Sequence, residues 1–311
     1  MAMYVIANPA AGRGRGGKAL ERVRSLLGPE DELVISQGPG DSERLAVEAV
    51  GAGRPVVTVM GGDGTLGEVI NGIAASGFQA ALGVLPVGTA NDFAIYLGVP
   101  TNLERAVAII RAGHIRRVDL GLIERGGRRP DGRPSGRRYF ATTIGVGLGA
   151  AVARLAQSGA DKAHGSPLTY LRALPGELLR FRPIEVEITG GEVTFRGKAL
   201  TASISNGEQE GGVFHLAPGA RVDDGFLHLL ILGDVPSWQR PWYILQSVRG
   251  GAHKLSKAHL YHVKAVSLRT LEDAPFYVDG EFEPLSAGEV VQVRVEEGKL
   301  SAVAPPPTGG G

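Results

Sequence analysis

Pro55-Val56-Val57-Thr58-Val59-Met60-Gly61-Gly62-Asp63-Gly64-Thr65 is the stretch on which the reading of this chain turns. An apolar, β-branched run reads as a strand. It ends in three glycines, a carboxylate and a hydroxyl, and a helix is expected from there to about Ala75. Glycines let backbone N–H groups approach phosphate oxygens closely, and a helix N-terminus favours negative charge. Asp63 would repel a phosphate unless a cation or a transferable proton lay between them. A Mg²⁺-nucleotide is therefore the natural ligand, and the competing reading makes Asp63 a plain helix cap.

Working outward, the same grammar repeats. Tyr4 to Asn8 is a short strand-like run before the glycine-rich turn Gly12-Arg13-Gly14-Arg15-Gly16-Gly17, and Lys18 to Leu27 has helical spacing. Gly12, Gly14 and Gly17 have the spacing of a dinucleotide fingerprint, yet Ser36-Gln37-Gly38 stands where the acidic partner belongs. Gly12 to Lys18 has P-loop spacing, yet Ala19 replaces the magnesium-binding hydroxyl. Glu32 to Ser36 reads as the second strand, with Asp41 or Ser42 capping the next helix. Ala81 to Leu85 is the fourth, followed by Pro86-Val87-Gly88-Thr89-Ala90-Asn91-Asp92-Phe93, and Asn102 to Ala112 is helical. Alternating strands and helices predict a parallel sheet covered on both faces, with ligands at the carboxyl ends of its strands.

After about Leu122 the pattern changes. Arg125 to Arg138, rich in Gly, Pro and Arg, reads as an exposed loop. Strand-like runs then dominate: Tyr139 to Ile144, Ile184 to Ile188, Leu200 to Ser205, Phe226 to Leu232, Ala265 to Leu271, Pro275 to Val278 and Val290 to Val295. These predict an antiparallel sandwich or barrel, interrupted by a helix over about Ser166 to Phe181 with an apolar stripe. The expected division is an α/β domain at 1–124, a β-sandwich at 125–304 and a disordered tail at 305–311. A hydrophobic content of 43% argues against wholesale disorder, and a formal net charge of +1 selects no nucleic acid partner. No cysteine is present, which excludes disulfides, Cys-ligated zinc and a thiol nucleophile. No run approaches the ~18 apolar residues of a membrane helix, so a cytoplasmic protein with transient, peripheral membrane contact is expected.

Taken together, Asn8-Pro9-x-x-Gly12, Gly61-Gly62-Asp63-Gly64-Thr65 and Gly88-Thr89-x-Asn91-Asp92-Phe93-Ala94 resemble the diacylglycerol kinase catalytic domain in order and spacing. Asp119-Leu120-Gly121, Asn206-Gly207 with Gly211-Gly212, Asp224-Gly225-Phe226-Leu227 and Asp279-Gly280-Glu281 extend the resemblance over almost the whole chain, towards the bacterial lipid kinases of the YegS and BmrU type. It implies a Rossmann-like nucleotide-binding domain of the NAD kinase and diacylglycerol kinase kind, a C-terminal β-sandwich and an active site between them. ATP contacts are implied for Asn8, Pro9, Gly12, Ser36, Gly61, Gly62, Asp63, Gly64, Thr65, Glu68, Gly88, Thr89, Asn91 and Asp92. Magnesium is implied at Asp224 and the carbonyls of Arg221 and Phe226, a donor set suited to that ion.

The expected reaction moves the γ-phosphoryl of ATP to a lipid hydroxyl. Glu281, supported by Asp279, is the expected general base, and Asp63 is its rival. Lys18, Arg13 and Arg15 are weaker candidates for a γ-phosphate clamp. The expected partner is a lipid at the membrane surface, reached through the 166–181 stripe or the 125–138 arginines, and a homodimer is compatible with the resemblance. Three alternatives stay open: an NAD kinase, an NAD-dependent oxidoreductase, and a non-catalytic nucleotide- or lipid-binding protein.

Overall fold

The computed structural model describes residues 2–128, 134–157, 176 and 178–306, and the chain divides into two compact units, 1–118 with 298–311 and 119–297. The boundary differs from the expected one at the C-terminus, because the chain's last strand ends in the first unit.

In the first unit, β1 (Tyr4–Ala7), β2 (Glu32–Ile35), β3 (Val56–Gly61) and β4 (Ala81–Pro86) form a parallel sheet in the order β2-β1-β3-β4. β1, β3 and β4 are buried along their whole length, as a parallel sheet covered on both faces requires. The crossovers are α1 (Arg15–Leu26), α2 (Asp41–Gly51), α3 (Asp63–Ala75) and the pair α4 (Asp92–Leu97) and α5 (Leu103–Ala112). The Asn102 side chain caps α5 by accepting from the Arg105 N–H at 2.9 Å. α2 departs from expectation. Neither Asp41 nor Ser42 caps it; the Glu68 carboxylate, reaching across from α3, accepts from the N–H groups of Gly40 (2.6 Å) and Ser42 (3.2 Å).

In the second unit the chain becomes antiparallel. β5 (Ile115–Arg128) and β6 (Pro134–Phe140) pair as a hairpin, so the expected exposed loop is instead largely strand, and residues 129–133 lie outside the described ones. β7 (Thr143–Gly147) leads into α6 (Leu148–Gln157), a helix the sequence reading missed. The helix expected over 166–181 falls mostly outside the described residues; Leu178 to Arg180 are helical. β8 (Ile184–Gly190) and β9 (Val193–Ser205) follow, then the two-residue ribbon β10 (Gln209–Glu210) and β11 (Phe214–His215), and β12 (Leu227–Gly233). Next come α7 (Arg240–Val248), β13 (Ala258–Val263), β14 (Ala265–Thr270), β15 (Ala274–Val278), β16 (Glu281–Leu285) and β17 (Val290–Val303). β9 is the hinge of this sandwich: its first half pairs with β8, its second half with both β7 and β12. Phe140, Ile144, Ile188, Ile204, Leu229, Phe276 and Val293 lie in the core between the layers. The last residues of β17 return to the first unit, where Ala302 aligns with Leu82 of β4.

Candidate active site

Three turns at the carboxyl ends of β1, β3 and β4 meet in the first unit. The Asn8 amide donates to the Thr65 hydroxyl at 2.9 Å, joining the first turn to the second. The Asp63 carboxylate accepts from the Asn91 N–H at 3.0 Å, joining the second to the third. Asp63 therefore does not cap its own helix: α3 begins at Asp63 with Gly62 as an uncapped N-cap. Asn91 in turn sits in the left-handed region at φ 56, and its side chain closes the third turn by accepting from Gly88 N–H at 2.8 Å. Arg15 closes the ring, donating to the carbonyls of Gly12 (3.1 Å) and Gly88 (3.0 Å).

The glycines are dictated by this convergence. Gly12 has φ +59, and a Cβ there would overlap the Val87 carbonyl oxygen of the third turn; a Cβ on Gly88 would strike the Gly62 backbone. The dinucleotide spacing dissolves on inspection. Gly17 faces open space, while Gly16, outside the fingerprint, lies where a Cβ would come within 2.6 and 2.7 Å of the Asn8 and Pro9 carbonyls.

Gly62 and Thr89 lie in these turns, and Gly61 at the end of β3, Gly64 and Thr65 in the first turn of α3 and the buried Asp92 at the start of α4 flank them. Ser36 stands at the carboxyl end of β2, its hydroxyl donating to Ala7 O at 3.3 Å. Glu68 does not join them as a free acceptor, since both of its oxygens hold the start of α2. Lys18 is exposed on α1, and the Arg13 side chain lies outside what the structure describes.

The second unit gathers a different set. Asp279, buried and held at φ 48, accepts from the N–H groups of Ala141 (3.0 Å) and Thr142 (2.8 Å) and from the Thr142 hydroxyl (2.7 Å). Its carboxylate thus fixes the break between β6 and β7. Burial pushes its pKa up, against the lowering pull of those donors and of Arg138. From the other side Asn206 donates to the carbonyls of Asp119 (2.9 Å) and Ala141 (3.0 Å).

Glu281 pairs with Arg138 at 2.7 Å and keeps 41% of its side chain exposed. Arg138 also binds Glu283 at 2.8 Å; Glu283 is shared with Arg125 at 3.1 Å, and Arg125 reaches Glu289 at 2.9 Å. The side chains of Arg125 and Glu283 are each 1% exposed. Burial opposes the Arg138 charge, yet Glu281 and Glu283 outweigh it and its pKa lies above the ordinary guanidinium value. The exposed-loop expectation is corrected at two of its arginines: Arg125 and Arg138 are buried, held by the buried Glu283 together with Glu289 and Glu281, while Arg137 of the same stretch is exposed.

Asp224 organises the turn before β12. Its oxygens accept from the N–H groups of Arg221 (3.0 Å) and Phe226 (2.9 Å), and His228 Nε2 lies 3.0 Å away. Burial lowers the His228 pKa against the attraction of Asp224. Gly225, at φ +76, donates to the buried Asp119 at 2.8 Å, which explains why the two motifs occur together. Among the described residues no three His, Cys, Asp or Glu side chains gather to hold a metal ion. A cation here would therefore use one Asp224 oxygen, main-chain carbonyls and water. The Oδ1 atom of Asp224, which accepts a single hydrogen bond, leaves room for that, so the turn fits Mg²⁺.

Among the described residues no helix is long and apolar enough to cross a membrane. The profile of the diacylglycerol kinase catalytic domain matches residues 2–123, and that of the YegS C-terminal NAD kinase beta sandwich-like domain matches 142–302. The chain is 29% identical over 282 residues to the diacylglycerol kinase of Staphylococcus saprophyticus, spanning 89% of this chain and 88% of that one. It is 31% identical over 282 residues to the "Probable lipid kinase YegS-like" of Pseudomonas savastanoi pv. phaseolicola, spanning 89% and 85%. A crystal structure of a diacylglycerol kinase from Bacillus anthracis str. Sterne has the same fold (TM-score 0.70, 21% identity, 98% and 97% of the two chains covered). Yeast NADH kinase complexed with NADH shares it more distantly (TM-score 0.53, 10% identity, 98% and 84% covered). The paired domains and the full-length similarity together place this chain in the bacterial family of diacylglycerol kinases and YegS-like lipid kinases, and it is a kinase.

Proposed function

We propose that the protein transfers the γ-phosphoryl group of Mg²⁺-ATP to the hydroxyl of a lipid, diacylglycerol or a close analogue. The observation that carries this reading is the bond from Asn91 N–H to Asp63. It locks two glycine turns together and leaves a carboxylate among main-chain donors, the arrangement a metal-bound polyphosphate needs. Asn8, Gly12, Gly62, Thr65, Gly88 and Thr89 line the nucleotide side, and Arg15 keeps the turns closed rather than acting as a clamp. Asp224 with the carbonyls of Arg221 and Phe226 would hold magnesium, which when bound would supply positive charge at that turn of the second unit.

Glu281 is the proton acceptor for the lipid hydroxyl. Arg138 holds its Oε2, orienting the carboxylate for the acceptor. Asp279 is a positioning residue, since every donor around it belongs to the β6–β7 junction. Oriented groups of this kind typically contribute ~10² to 10⁴ in rate.

The test is transfer of radiolabelled γ-phosphate to diacylglycerol and other lipid alcohols in mixed micelles, with NAD as a second acceptor. Label in a lipid, abolished by Asp63→Ala, is the expected result. Label in NAD alone, or in no acceptor, overturns the reading.

A further inference from the structure

We propose that α7 is a membrane-docking face that holds the protein on anionic bilayers. The proposal extends the lipid-kinase reading by naming the surface that would bring the enzyme to its substrate.

The helix is amphipathic the wrong way round for a core helix. Its buried residues include Arg240 and Ser247 beside Tyr243, while Trp242, Leu245 and Val248 are exposed. Trp238, in the turn just before it, is 76% exposed and Trp242 51%, and these are the chain's two tryptophans. Positions 242, 245 and 249 share one helix face, with 238 one turn earlier. The inner side is held by hydrogen bonds as much as by apolar packing: Arg240 donates to the carbonyls of Val235 (3.0 Å), Leu178 (2.7 Å) and Phe181 (2.9 Å). The apolar stripe is therefore turned outward by a satisfied polar anchor.

Charge selects the occupant. From Val235 to Leu271 the sequence has no Asp or Glu, and Arg249, Lys254 and Lys257 are exposed along or just after the helix. Lys257 donates to the Asp234 carbonyl, a neutral partner, and among the described residues no carboxylate forms an ion pair with it. A second copy meeting this face across a two-fold axis would set like charges against each other. An anionic bilayer matches both features: tryptophan prefers the headgroup boundary, and flanking cations are attracted to acidic lipids.

Because both tryptophans lie on this face, intrinsic fluorescence reports on it without background. The experiment titrates the full chain with phosphatidylcholine vesicles, with and without phosphatidylglycerol, following emission and co-sedimentation. Activity on a short-chain diacylglycerol below its micellar concentration is measured in parallel. A blue shift confined to the anionic vesicles is expected. Trp238→Ser with Trp242→Ser should weaken co-sedimentation by roughly tenfold or more. Lys254→Glu should weaken it by at least about fivefold on anionic vesicles. All of these variants should retain soluble-substrate turnover. Vesicle binding that the variants leave unchanged overturns the proposal. So does a concentration-dependent dimer, buried at the tryptophans without lipid and dissolved by Trp242→Ser. Vesicle binding without turnover of any lipid would leave the docking face standing and refute the kinase reading instead.

Discussion

In the first unit the candidate residues sit in three short turns, and what they touch is mostly main chain: Arg15 on two carbonyls, Asp63 on an N–H, and Gly12 against a carbonyl oxygen. In the second unit the candidate base belongs to a chain of side-chain ion pairs, Glu281–Arg138–Glu283–Arg125–Glu289, whose members come from hairpin β5–β6 and from β16 with the turn beyond it. The first arrangement is set by backbone shape, which a few side chains (Asn8, Asp63, Asn91 and Arg15) hold by single hydrogen bonds, mostly to main chain. The second depends on charge balance in a buried place, where each partner removed strands another. The two regions should therefore fail differently when mutated.

The sharpest contrast concerns Glu281. Glu281→Gln removes the proposed base while leaving the turns of the first unit intact. Turnover should fall by ~10² to 10⁴ with ATP affinity nearly unchanged. Steady-state kinetics together with calorimetric nucleotide binding would show this; an active variant would sink the assignment.

Glu283 tests the charge network itself. It touches two guanidinium groups and is almost fully buried, so Glu283→Gln leaves two cations sharing too little negative charge. A loss of about 3 to 5 kcal/mol in the second unit is expected from urea titration. If the loss is below about 1 kcal/mol, the network contributes little and the comparison between the regions collapses.

Gly12→Ala makes the complementary test in the first unit. The residue would be forced to φ +59 with its methyl group on the Val87 carbonyl, at a cost of about 1 to 3 kcal/mol. The turns would separate to relieve it, so ATP affinity should fall while the stability of the second unit stays unchanged. Unaltered ATP binding would mean that the close approach of the two turns does not matter to the nucleotide.

How much of this was legible beforehand follows the same divide. Gly61 to Thr65 and Gly88 to Asp92 are contiguous, and local chemistry forces both the turn and its glycines, so the fold of the first unit and its turn cluster could be read directly. The role of Glu68 could not, because its partners Gly40 and Ser42 lie on another helix. Arg125 and Arg138 were misread because Gly, Pro and Arg normally mark a solvated loop. Glu283, some 145 residues from Arg138 in sequence, is shared by both, and with Glu281 and Glu289 it makes their burial tolerable. Helix α7 escaped notice since its outward stripe and inward arginine invert the pattern by which helices are recognised.

The smallest effect expected lies at the edge of the second region and separates burial from pairing. Tyr277, fully buried on β15, donates its hydroxyl to Glu210 at 2.7 Å. Burial pushes the Glu210 pKa up from about 4.5 to about 7, and the tyrosine hydrogen bond only partly opposes it. Unlike Glu283, Glu210 has no cation among its hydrogen-bond partners in the described residues, so here the folded state prefers the protonated acid. The folded protein then binds more protons than the unfolded chain between roughly pH 4.5 and 7, and stability must fall as pH rises through that window. Glu210 is partly exposed as a residue, which limits the loss to about 2 kcal/mol. Glu210→Gln should flatten that slope and leave the protein more stable than the parent at pH 8. Chemical denaturation at a series of pH values decides it: an unchanged slope would mean that water reaches the carboxylate, and that burial without a cation partner carries no penalty at this position.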